Sequence, residues 1–76
     1  MTRPRNIDRP ARSCEDVNRE LRARGKAEQL VKGRGYFYFA DGEAATWPSS
    51  SVLAYRLDQL TIRQFLDEYD RLSTAR

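Results

Sequence analysis

Histidine does not occur among the 76 residues. Its absence removes the commonest general base and the commonest metal ligand together. Cysteine occurs once, at Cys14, so no intrachain disulfide is possible and a Cys/His zinc site fails on ligand count. A secreted chain this short would normally carry several bridges. No apolar run approaches the roughly 18 residues of a membrane span. No apolar stretch follows Met1-Thr2-Arg3-Pro4-Arg5 as it would in a signal peptide. The expectation is the cytoplasm of a bacterium-like cell, with no metal, no cofactor and no membrane partner. Catalysis lacks its parts as well. Ser49, Ser50 and Ser51 have no histidine to activate them. Asp67 and Glu68 are adjacent, and neighbours on a helix point to different sides. Gly33 and Gly35 follow no long apolar strand and lead into no helix, so they form no phosphate loop. The expectation is a non-catalytic protein.

What is present suffices for one small domain. Hydrophobic residues make up 39% and aromatics 11%, too much bulky apolar mass for a wholly disordered chain. A chain of this length buries roughly 60% of its unfolded surface, so its core is marginal and each buried ring matters. The net charge of +3 is unevenly spread. Residues 1–35 hold ten Lys/Arg against five Asp/Glu, whereas residues 36–76 hold four against six. A basic front half suits an anionic partner such as nucleic acid, or serves as a solvated tail.

Residues 1–12 carry two prolines and four arginines, Arg3, Arg5, Arg9 and Arg12, and read as a disordered basic arm. Ser13 is a good N-cap with Asp16 three residues later, resembling a capping box built with the shorter carboxylate. Cys14, Val17 and Leu21 follow at helical spacing and Gly25 supplies a left-handed stop, so a helix is expected over 14–24. Residues 27–32 suggest a weak strand. Residues 36–40, Tyr-Phe-Tyr-Phe-Ala, are the surest strand. Asp41-Gly42 signals a two-residue hairpin, with a return strand over 43–47 broken at Pro48 and a last strand over 52–57. Thr61 and Gln64 form a capping box, Leu60 and Phe65 a staple across it. Ile62, Phe65, Leu66, Tyr69 and Leu72 then line one helix face. The domain is expected over 13–73, with 74–76 frayed.

The expected fold class is α+β, two helices packed on one face of a small two- or three-stranded antiparallel meander. Strand alternation puts Phe37 and Phe39 on one side and Tyr36 and Tyr38 on the other. The less polar pair is expected under the helices, joined by Leu53, Tyr55 and Leu57. Val52, Ala54 and Arg56 are then expected on the open face with the two tyrosines.

Lys32-Gly33-Arg34-Gly35-Tyr36-Phe37-Tyr38-Phe39 resembles the octapeptide of RNA-recognition-motif domains. Lys32, Gly33, Gly35 and Phe39 match, and Tyr36 matches conservatively. Arg34 stands where an exposed aromatic is expected, and Phe37 replaces valine. The resemblance covers eight residues, and that family has two more strands and a longer chain. It implies bases stacked on rings with basic groups on phosphates. A broader likeness covers about the last two thirds of the chain. Gly33–Phe39, Asp41-Gly42-Glu43-Ala44, Trp47-Pro48-Ser49-Ser50-Ser51-Val52 and Leu60-Thr61 resemble small proteins of bacterial plasmids, prophages and integrated elements. That likeness implies a mobile-element context, where short basic proteins often regulate or inhibit host machinery.

Two readings stay open. In one, Tyr36, Tyr38 and Trp47, flanked by Lys32, Arg34 and Arg56, stack single-stranded bases while Arg3, Arg5, Arg9 and Arg12 hold phosphates. In the other, the same surface is a hot spot for a host protein. Either way the chain is expected to be a monomer or weak homodimer.

Overall fold

A computed structural model describes residues 7–74. Helix α1 spans Cys14–Ala23, and its start is set by Ser13. The Ser13 hydroxyl accepts from the Asp16 N–H at 3.3 Å. The reciprocal half of the box is displaced by one residue, because the Asp16 carboxylate accepts from the Arg12 N–H at 3.0 Å. The helix ends on a double bond pattern: Gly25 N–H donates to the Arg22 carbonyl and Lys26 N–H to the Leu21 carbonyl. That Schellman arrangement needs a left-handed residue, and Gly25 sits at φ +75°.

The sheet has three antiparallel strands in the order β1 (Gln29–Lys32), β2 (Phe37–Ala40), β3 (Ser51–Val52). Leu30 faces Phe39 across β1 and β2, and Phe37 faces Val52 across β2 and β3. All four are buried, so they line one face. Helix α2, Ile62–Thr74, covers that face with Ile62, Phe65, Leu66, Tyr69 and Leu72. Phe37 meets Phe65 edge-on at 6.0 Å, and Phe39 meets Tyr69 at 5.3 Å. Its N-terminus carries both capping-box bonds, Gln64 N–H to the Thr61 hydroxyl at 3.1 Å and Thr61 N–H to the Gln64 side chain at 2.9 Å. The expected α+β class and the helix–strands–helix order are therefore present.

Helix α1 guards the outer edge of the sheet. Asn18, buried, accepts from the Leu30 N–H at 2.6 Å and donates to the Leu30 carbonyl at 3.3 Å. One side chain thus satisfies both backbone groups that Leu30 turns away from β2, and blocks that position of the edge from pairing with another chain.

Three expectations are corrected. The return strand over 43–47 does not form. Asp41 and Gly42 do take left-handed dihedrals, φ +64° and +52°, but the chain then winds into a 3₁₀ turn over Ala44–Thr46. Glu43-Ala44-Ala45 lacks the β-branched residues a strand favours, and β2 is already flanked by β1 and β3. The strand over 52–57 stops after Val52. Ala54 N–H folds back onto the Val52 carbonyl, and the N–H groups of Tyr55 and Arg56 go to the Gln59 side chain. Its sidedness is the reverse of expectation: Val52 and Ala54 are buried, while Leu53 is 93% and Tyr55 79% exposed. Pairing Val52 opposite Phe37 fixes this, since opposed residues share a side.

The third correction concerns the basic arm. Residues 7–12 run beside the start of α2. Ala11 N–H donates to the Leu60 carbonyl at 3.1 Å, Ile62 N–H to the Arg9 carbonyl at 3.1 Å, and Arg63 N–H to the Ile7 carbonyl at 2.7 Å. Ala11 is buried, and Ile7 packs against the core. The first N–H groups of a helix lack intrahelical partners, and this segment supplies acceptors for two of them. Arg3 and Arg5 lie outside the described residues. Thr74 is the last residue of α2, and the rest of the expected frayed tail also lies outside.

Candidate binding surface

The sheet face away from the helices begins at the β1–β2 turn. Gly33 N–H donates to the Tyr36 carbonyl at 2.8 Å and closes that turn. The Tyr36 ring lies so close over the backbone that a Cβ on Gly33 would stand 2.7 Å from its Cζ. Any larger residue there would push the Tyr36 ring aside. Tyr38 follows on the same side, half-buried, its ring 5.9 Å from that of Tyr36 and tilted by 40°. The Tyr55 ring approaches from the other flank, 3.8 Å from where a Gly35 Cβ would be. Three tyrosines therefore surround one turn, with Leu53 exposed alongside on the β3 loop and Arg34 at the tip. Tyr55 and Leu53 were expected inside. The signal that would have placed them is the pairing of Val52, which short-range pattern does not contain.

The remaining expected site residues separate. Lys32 shares the side of Leu30, and its charge acts on Cys14 at the start of α1. Burial pushes the Cys14 thiol up, and Lys32 offsets part of that. Lys32 thus belongs to the helix side of the same end, not the open face. Trp47 is not on the open face either. It lies edge-on to Tyr69 at 5.4 Å and 6.1 Å from Phe39, half-buried at the rim of the core. Arg34 has no ion pair among the described residues, whereas Arg56 pairs with Asp58 at 3.5 Å. Arg56 shares a cleft of about 610 Å³ with Arg9 and Arg12, residues more than forty positions away in sequence. Arg9 also bonds Asp16 at 3.1 Å, and that guanidinium with the Arg12 N–H holds the Asp16 carboxyl below its usual range.

The opposite end is acidic and internally engaged. The carboxylate of Glu28, buried, accepts from the Tyr69 hydroxyl and, at 2.7 Å, from the Glu43 N–H. Burial opposes its ionisation, but these bonds and nearby Lys26 outweigh burial and hold its pKa below the ordinary value. Burial and the Glu28 charge push the Tyr69 phenol up. At neutral pH the carboxylate is charged and the phenol keeps its proton, so neither group is poised to exchange one. The pair ties β1, the 41–43 turn and α2 together. Gly42 makes the contact possible, because a Cβ there would stand 2.0 Å from Glu28 Oε2.

Among the described residues no three His, Cys, Asp or Glu side chains converge as metal ligands. No helix among them is long and apolar enough to cross a membrane. No family model, curated protein or solved structure matches the chain.

Proposed function

We propose that this protein is a non-catalytic binding module that engages single-stranded nucleic acid at the end of its sheet. The supporting observation is the grouping of Tyr36, Tyr38 and Tyr55 around a turn tipped by Arg34, which has no ion pair among the described residues. Exposed phenol rings stack on any base, and a nearby guanidinium holds the backbone. Lys32, on the helix side, adds positive charge beside the same turn.

A host protein is the second reading, and Leu53 favours it. An aliphatic side chain 93% exposed offers nothing to a base but suits an apolar pocket. Chemical-shift titration with an oligonucleotide of about eight nucleotides, lacking terminal phosphates, separates the two. Nucleic-acid binding moves the amides of Arg34, Tyr36, Tyr38 and Tyr55, and the shifts fade as salt rises, because phosphate contacts release counterions. Tyr36→Ala and Tyr55→Ala each weaken it by about 1–3 kcal/mol. An absence of shifts at low salt overturns the proposal in favour of the protein partner.

A further inference from the structure

We infer that the cleft between residues 9–12 and the 56–58 turn binds a phosphate monoester carried by a nucleotide. The inference stands apart from the proposed stacking face and would survive its failure.

The cleft walls are held in place. Ala11, between Arg9 and Arg12, is 1% exposed and bonded to Leu60, and the Arg9 carbonyl accepts from Ile62. The facing wall is fixed by Gln59, whose side chain accepts from the N–H groups of Tyr55 and Arg56. Three arginines therefore line the cleft from two anchored segments rather than from a loose arm.

The charges facing the cleft are unbalanced. Arg9 leans on Asp16, itself outside the lining. Arg56 pairs with Asp58, the one carboxylate in the lining, with both side chains well exposed at 76% and 62%. Arg12 has no ion pair among the described residues, and only its backbone N–H is hydrogen-bonded. With Asp16 counted, three cations stand against two carboxylates; the net positive charge falls on Arg12, and the exposed Arg56–Asp58 pair can open toward an incoming anion. Guanidinium forks match phosphate oxygens in pairs, which an ammonium does not. Pro10, Ala11 and Leu57 supply an apolar floor for the rest of the ligand. The volume of about 610 Å³ lies within the range of small-molecule sites, roughly 300–1,000 Å³. A bare phosphate would leave most of it empty.

The test titrates the full chain with adenosine 5′-monophosphate, inorganic phosphate and adenosine. The monophosphate should shift the amides of Ala11, Arg12, Arg56 and Leu57, bind at least about tenfold tighter than phosphate, and outbind adenosine by more. Arg12→Gln and Arg56→Gln should each weaken it about tenfold, since each removes a charged hydrogen bond, with the melting temperature unchanged. Asp58→Asn should tighten it. Equal affinity for adenosine, or unchanged binding in both arginine variants, overturns the inference. Equal affinity for inorganic phosphate overturns the nucleotide assignment. Because the oligonucleotide used on the stacking face lacks terminal phosphates, the two readings fail separately.

Discussion

Asn18→Ala is the most informative change to the fold. Asn18 carries both hydrogen bonds to Leu30 from a buried position. Alanine leaves one backbone N–H and one carbonyl of β1 without partners beneath α1. Each buried unsatisfied group costs about 1–3 kcal/mol, so the loss should be about 2–6 kcal/mol. For a domain of this size that lowers the melting temperature by at least ~8 °C, and by ~20 °C near the middle of the range. Thermal unfolding followed by circular dichroism gives the total. Amide exchange gives the location, since the Leu30 amide should lose protection first. Asn18→Asp keeps an acceptor for the Leu30 N–H but turns an oxygen toward the Leu30 carbonyl, so it should also destabilise. A fall of less than ~4 °C for Asn18→Ala, below the effect of about 1 kcal/mol, would refute the reasoning. Water would then be satisfying Leu30, and this side chain would not be blocking the edge there.

Phe39→Ala or Phe65→Ala should cost about 3–5 kcal/mol in denaturant unfolding, while Leu53→Ser should stay within about 0.5 kcal/mol because the side chain is already in water. Gly42→Ala combines φ +52° with a Cβ driven into the Glu28 carboxylate, and should destabilise by at least ~1–3 kcal/mol. Gly25→Ala meets open space at φ +75°, so its cost should be about 1 kcal/mol. Stability should also depend on pH through the Glu28–Tyr69 pair. The Glu28 pKa is depressed in the fold, so its contribution is present above the unfolded value near 4.5 and lost as pH falls through the folded one. The Tyr69 pKa is raised, so its contribution is present below the unfolded value of 10.0 and lost as pH rises above it. Denaturant midpoints across pH should show a shallower acid limb for Glu28→Gln and a shallower alkaline limb for Tyr69→Phe.

The fold was more legible than the surface. Ser13, Gly25, Thr61 and Gln64 mark helix ends because capping acts between residues three to five apart. The burial of Phe37 and Phe39, and the apolar face of α2, follow from periods of two and 3.6. The candidate site was legible only in part. Arg34, Tyr36 and Tyr38 occur together in one stretch, and the structure keeps them together. Trp47 and Lys32 left the open face, and Tyr55 joined it, for reasons lying outside their own segments. Trp47 follows from Ala44–Thr46 coiling instead of pairing. Tyr55 follows from Val52 meeting Phe37.

The sequence alone therefore determined the α+β class, the helix boundaries, the inward phenylalanines and the lack of histidine and paired cysteine. All of these are set by composition or by neighbours within one turn of helix or one step of strand. Tertiary structure decided which neighbour β2 accepts, which side of the last strand is buried, and where residues 7–12 rest. It also brought Arg9, Arg12 and Arg56 around one cleft. Those outcomes depend on strand register and on acceptors for α2's leading N–H groups, contacts between residues about 10 to 56 positions apart. Alternation sorts a strand into two sides; in β2 the polarity of the two sides says which is inside, but in the last strand, apolar on both, only the pairing partner does.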